Sequence, residues 1–160
     1  VLAHELIHSA KECGADVAKF QLYNAKSLFP KEGNEWYEYN CSTELSRDNI
    51  YELNSTCQNI CIEFMASVFD VERISWLEEV NVKRYKVASR SVHDVNLINA
   101  LVDTGKPILI SLGMWHETEF PKIKSNNVDY LYCISKYPTP LQDISLSSVD
   151  FKKIDTGMRS

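Results

Sequence analysis

The sequence predicts an α/β fold in which short parallel strands alternate with helices. Three observations support this. Short apolar, β-prone stretches recur along the chain. Apolar residues at helical spacing fill the intervals between them. Gly, Pro and small polar clusters mark the junctions. The predicted order is α-β-α-β-α-β-α-β-α-β-α, the alternation expected of parallel βα units. Period and spacing leave two architectures open, a doubly wound sheet or part of a (β/α)8 barrel. No strand is followed by G-x-G-x-x-G or by a P-loop, which weakens the nucleotide-binding sheet.

Residues 1–13 place Leu2, Ala3, Leu6, Ile7 and Ala10 on a helical stripe, and Gly14 supplies a stop. Packing of Leu2, Leu6, Ile7 and Ala10 would leave His4, Glu5 and His8 on the wet side with Lys11 and Glu12. Residues 16–22 (DVAKFQL) form a short β-prone run in which polar Lys19 and Gln21 alternate with apolar neighbours. The polar stretch 24–44 is too long for a simple connector and predicts a functional loop or lid, with Trp36, Tyr37 and Tyr39 able to stack on a sugar or pack within the loop. Residues 46–59 predict a helix with Ser46 as N-cap and Ile50, Leu53 and Cys57 along one face.

The second half continues the alternation. Residues 61–69 predict a strand, and 71–80 a helix with Ile74, Leu77 and Val80 inward. Residues 84–89 predict a strand, 93–104 a helix ended by Gly105, and 107–111 a strand broken by Gly113. A short helix is predicted over 116–124, a strand over 128–135, a Y-P-T-P turn over 137–140 and a final helix over 148–154.

Composition bounds the class. The 160 residues amount to one domain, with 44% hydrophobic and 24% charged residues. Lys and Arg number 17 against 22 Asp and Glu, a net charge of −5 that argues against general nucleic-acid or anionic-membrane binding. No apolar run reaches the ~18 residues needed to span a bilayer. Cysteines stand at 13, 41, 57, 61 and 133, an odd set with no C-x-x-C pair and no second pair at zinc-ribbon spacing. They read as reduced thiols packed as small hydrophobes, which implies a cytoplasmic location. The chain begins inside a helical stripe, so a piece of a longer protein is expected.

In both candidate architectures, chemistry gathers at the carboxyl ends of the strands. Those ends hold Lys19 and Gln21, then Ser67, then Lys86 and Ser89, then Ser111, then Ser135 followed by Tyr137. Two lysines and four serines aimed at one end of a sheet suit a compact anion such as phosphate or carboxylate. A lysine within a β-run is especially informative, because its charge must be solvated or paired.

Four segments, GADVAKFQ (14–21), RYKVASRSVHDVNLI (84–98), GKPILISLGM (105–114) and LYCISKYPTP (131–140), resemble the sialic acid synthase family, the phosphoenolpyruvate-dependent N-acetylneuraminate synthases and their relatives. The resemblance implies an incomplete (β/α)8 TIM-type barrel, with about five of the eight strands. Residues 1–160 would then be a single partial barrel domain lacking the first strand and the last strands. The implied reaction condenses phosphoenolpyruvate with an open-chain N-acylated amino sugar resembling N-acetylmannosamine. Its products are a nine-carbon keto-acid sugar and phosphate.

By position, the resemblance assigns Lys19 and Ser67 to the carboxylate of phosphoenolpyruvate. It assigns Lys86, Ser89, Ser111 and Ser135 to the surroundings of its phosphate, and Gln21 and Tyr137 to the sugar. It also implies a divalent metal, Mn or Mg, in the complete enzyme, with ligands outside this chain. The catalytic Glu would likewise lie outside it, so the piece alone is expected to be inactive. The complete protein would be a homodimer. The chain departs from the family pattern at Ser67-Val68-Phe69, where T-P-F is usual, and at Ser111-Leu112-Gly113-Met114, where S-T-G-M is usual. Ser91 stands where an acidic residue is common. Ser135 stands where Asn is common. These departures suggest a divergent member or altered substrate contacts, and the sequence does not name the sugar.

Two other readings compete. His4-Glu5-Leu6-Ile7-His8 matches H-E-x-x-H, in which two imidazoles share a helix face and the Glu can act as base in a zinc metallopeptidase. Glu32 or Glu35 would have to supply the third ligand. In a barrel this helix lies outside, far from the strand ends. The other alternative is a non-catalytic α/β module descended from the same barrel.

Overall fold

A computed structural model describes residues 2–117 and 119–145 of the chain. The predicted final helix over 148–154 lies outside the described residues. The elements run α1 (Leu2–Glu12), β1 (Val17–Leu22), α2 (Ala25–Leu28), α3 (Tyr37–Ser42), α4 (Arg47–Asn59), β2 (Glu63–Val68), α5 (Glu72–Glu79), β3 (Tyr85–Val87), α6 (Val95–Asp103), β4 (Ile108–Ser111) and β5 (Val128–Leu131). Single 3-10 turns occupy Ser89–Ser91 and Leu141–Asp143.

The five strands form one sheet in the order β1-β2-β3-β4-β5, all parallel. Each new strand adds on the same side of the last, with no reversal. A doubly wound sheet needs such a reversal, so the order selects the barrel-type winding. The sheet is open, with β1 and β5 at its edges. One of its faces is covered. Ala18, Leu22, Phe64, Ala66, Val68, Tyr85, Val87, Ile108 and Ile110 form a core with Ile7 of α1, Ile50, Leu53 and Cys57 of α4, Ile74 and Leu77 of α5, and Leu97 and Leu101 of α6. Side chains alternate across a strand, so the intervening residues point to the opposite face. On β1 these are Lys19 and Gln21, both exposed.

Local chemistry explains the boundaries. Ser46 caps α4 in a capping box with Asn49, each side chain accepting from the other residue's backbone N–H. Asp94, not His93, caps α6 by accepting from the Leu97 N–H, so that helix starts at Val95. Gly14 (φ +84°) and Gly105 (φ +71°) end α1 and α6 in the left-handed conformation that favours glycine.

Several expectations are corrected. The described residues of 116–124 form no helix. Pro121 lacks an amide hydrogen and drives its predecessor toward extended backbone. Phe120 instead stacks on Tyr130 at 5.1 Å, while the Tyr130 hydroxyl donates to the Pro121 carbonyl. The fifth strand ends at Leu131 and the third at Val87, each short of its predicted end. The 24–44 stretch holds two short helices, α2 and α3. On α1, Ile7 is buried with Ala3 and Ala10 packed beside the core, but Leu2 and Leu6 are exposed at 68% and 58%. His4 takes the inward place, its Nδ1 2.7 Å from Thr56 Oγ1 of α4.

Candidate functional site

The parallel register decides which strand-end residues meet. Gln21 pairs with Ser67, Ser67 with Lys86, and Lys86 with Leu109, two residues before Ser111. Residues paired across parallel strands point to the same face. Lys19, Gln21, Ser67, Lys86 and Ser111 therefore all occupy the face opposite the helices, toward the carboxyl ends of the strands.

Lys86 is the centre of this group. It is 8% exposed, and its ammonium donates to the Val87 carbonyl at 2.7 Å and to Ser111 Oγ at 2.5 Å. Among the described residues it forms no salt bridge. Burial holds its pKa below the ordinary 10.5, the nearby Lys19 ammonium pushes the same way, and Cys133 partly opposes them. A buried cation bonded only to neutral oxygens gains most from an incoming anion.

Serines of the two neighbouring strands flank it. Ser111 is 6% exposed and also accepts from Cys133 Sγ at 3.3 Å. Ser67 is 3% exposed, and its hydroxyl has no hydrogen-bond partner among the described residues. Past the end of β4, the Gly113 N–H donates to Ser89 Oγ at 3.2 Å. A Cβ on Gly113 would stand 2.8 Å from Ser89 Oγ and 2.5 Å from Ser135 Oγ. Ser89 and Ser135, which follow β3 and β5, thus converge at Gly113, two residues past Ser111 at the end of β4. Tyr137 is fully exposed in the turn before Pro138 and hydrogen-bonds to none of this group.

Gly113 and Cys133 are additions that the sequence reading missed, having treated one as a strand breaker and the other as a packed thiol. A period of two, carried past the strand ends, links Ser111 to Gly113 and Cys133 to Ser135. That was the available signal.

The loop after β1 is anchored beside these strand ends. The Tyr23 hydroxyl donates to the Asn40 carbonyl at 3.3 Å and lies 3.1 Å from Thr43 Oγ1. Buried Arg73 binds Glu44 at 2.8 Å and Asp70 at 2.9 Å, tying the end of the loop to the start of α5. Arg90 stacks its guanidinium over Phe29. Trp36 and Tyr39 pack edge to face at 6.1 Å and are each 61% exposed.

Nothing favours a zinc centre on α1. His8 is exposed, and His4 is engaged with Thr56. Among the described residues no group of three or more His, Cys, Asp or Glu stands where it could hold a metal ion. The divalent ion implied by the resemblance finds no fitting donor set among the described residues. No described helix is long and apolar enough to cross a membrane. None of the five cysteines is in a disulfide.

Comparison with known proteins adds an independent line. The NeuB family model matches residues 6–154. An uncharacterised protein of Methanocaldococcus jannaschii is 35% identical over 92% of this chain and 46% of its own length. The N,N'-diacetyllegionaminic acid synthase of Legionella pneumophila is 32% identical over 92% of this chain and 48% of its own. Among solved structures, the N-acetylneuraminic acid (sialic acid) synthetase of Leptospira borgpetersenii superposes with a TM-score of 0.86 at 29% identity, covering 98% of this chain and 56% of that one. The chain spans about half the length of the curated relatives it matches.

Proposed function

The chain belongs to the NeuB family, and from that premise we propose that it supplies the phosphoenolpyruvate-binding face of a synthase that makes a sialic-acid-type sugar. The observation that carries this is Lys86, a buried ammonium with no carboxylate partner among the described residues, bonded to Ser111 Oγ of one neighbouring strand and paired with Ser67 of the other. Relatives named as legionaminic acid and sialic acid synthases support the reaction class.

In the proposed reaction, carbon 3 of phosphoenolpyruvate bonds to the aldehyde carbon of an open-chain N-acylated amino sugar. Water adds at carbon 2, and phosphate leaves with cleavage of the carbon–oxygen bond. Phosphoenolpyruvate, sugar and water are thereby converted to the keto-acid sugar and inorganic phosphate. Lys86, Ser89, Ser111 and Ser135 would hold the phosphate, and Lys19 and Ser67 the carboxylate. The lysines offset negative charge that an acidic protein otherwise repels, and a preset cradle needs little reorganisation when the substrate binds. Gln21 and Tyr137 are proposed to face the sugar. The divalent metal, when bound through residues elsewhere in the complete protein, supplies Lewis-acid chemistry. The reading includes a cytoplasmic, homodimeric complete protein; the five unpaired thiols support the cytoplasmic location.

The test uses the protein expressed from its complete reading frame. Incubation with phosphoenolpyruvate and N-acetylmannosamine, its 6-phosphate or 6-deoxy diacetamido sugars should release phosphate with one of them and form a keto-acid sugar in equal amount. Absence of phosphate release with all of them would refute the proposal.

A further inference from the structure

We infer that Gly113 is a positioning residue, whose missing side chain lets the Ser89 and Ser135 hydroxyls converge on one anion site. The inference rests on the proposed function of that site. Its observations are steric and independent of charge. A Cβ at residue 113 would meet Ser135 Oγ at 2.5 Å, Ser89 Oγ at 2.8 Å and Cys133 Cβ at 3.2 Å. Two of these distances are shorter than side chains tolerate, and both involve hydroxyls of the proposed cradle. Gly113 needs no left-handed backbone, so its value lies in the space it leaves.

The backbone adds polarity. The Gly113 N–H fills one acceptor site of Ser89 at 3.2 Å. Ser89 then keeps its own proton to donate toward an anionic oxygen. Gly113 thus sets both the closeness of two hydroxyls and the direction in which one of them donates.

Alanine at 113 would displace the hydroxyls at small cost to the fold. Each serine relieves its contact by rotating about one bond, away from the cradle, and the Cys133 Cβ contact at 3.2 Å needs only a shift of a few tenths of an ångström. The cost should therefore appear in anion affinity and not in stability.

The test is a mutant cycle in the complete protein, read by calorimetric titration with inorganic phosphate and by KM for phosphoenolpyruvate, with thermal unfolding alongside. Gly113→Ala should weaken phosphate binding on the order of tenfold or more, the scale of a lost hydrogen bond to a charged group. Unfolding should shift little. Ser89→Ala combined with Ser135→Ala should also weaken binding, and adding Gly113→Ala to that pair should cost nothing further. Unchanged phosphate affinity in Gly113→Ala, or an undiminished loss when both serines are already alanine, would overturn the inference. If the serine pair itself leaves phosphate and phosphoenolpyruvate affinity untouched, the proposed function of the site fails as well.

Discussion

Lys86 of β3 donates to Ser111 Oγ of β4 at 2.5 Å, joining neighbouring strands on the face the helices leave uncovered. The bond links a buried cation to a hydroxyl that also accepts from Cys133. With both acceptor sites of Ser111 filled from within the protein, its proton remains for a ligand.

Removing the cation should separate function from stability. Lys86→Ala in the complete protein should abolish condensation, and more than a few per cent of wild-type activity would count against the assignment. Lys86→Met keeps much of the volume without a buried charge. It should raise unligated stability by about 1 kcal/mol while losing phosphoenolpyruvate binding. Denaturant unfolding and titration of the same samples measure both.

The same lysine sets a pH dependence. Burial holds its pKa below 10.5, so the anion-binding cation is lost at a lower pH than for an exposed lysine. KM for phosphoenolpyruvate should rise with pH before the ordinary lysine range. Lys86→Arg should bind less well but with a flatter profile. The stability sign is opposite. Between the lowered folded pKa and 10.5 the unfolded chain holds the extra proton, so stability rises with pH across that window. The advantage of Lys86→Met should accordingly shrink toward pH 10.5 in unfolding curves.

Lys19 makes a separate contribution. It is exposed on the edge strand β1, on the same face as Lys86. Lys19→Ala should raise KM for phosphoenolpyruvate and alter stability by no more than about 0.5 kcal/mol. An unchanged KM would remove Lys19 from the site.

At the opposite end of the strands, Arg84 grips Glu63 with two bonds, at 2.7 Å and 2.8 Å. The guanidinium holds the Glu63 carboxyl below its ordinary value of 4.5, against the opposing effect of partial burial. A lowered carboxylate pKa stabilises the fold above the unfolded value and loses that effect as pH falls through the folded value. Glu63→Gln should therefore cost about 1 kcal/mol near neutral pH. The gap from wild type should close below pH 4.5 in acid unfolding curves.

Residue types at the strand ends were legible without coordinates. Lys19, Ser67, Lys86 and Ser111 were selected by alternation and by their place at the end of apolar runs, and all four share one face. The stop at Gly14 and the cap at Ser46 were legible for the same reason, since both depend on adjacent residues. The helix predicted over 116–124 failed because Pro121 and the stacking of Phe120 on Tyr130 outweighed a weak local pattern.

The sequence by itself determined the alternation of strands and helices, and which side chains can carry charge or a hydroxyl to the strand ends. Only the tertiary structure decided that the strands add in one direction, that Ser67 lies beside Lys86, and that Ser89 and Ser135 close on the bare Cα of Gly113. Periodicity and capping are set within a few residues, so they can be read from the chain. Register and close approach arise between segments tens of residues apart, and packing of the shared core against α1, α4, α5 and α6 sets them.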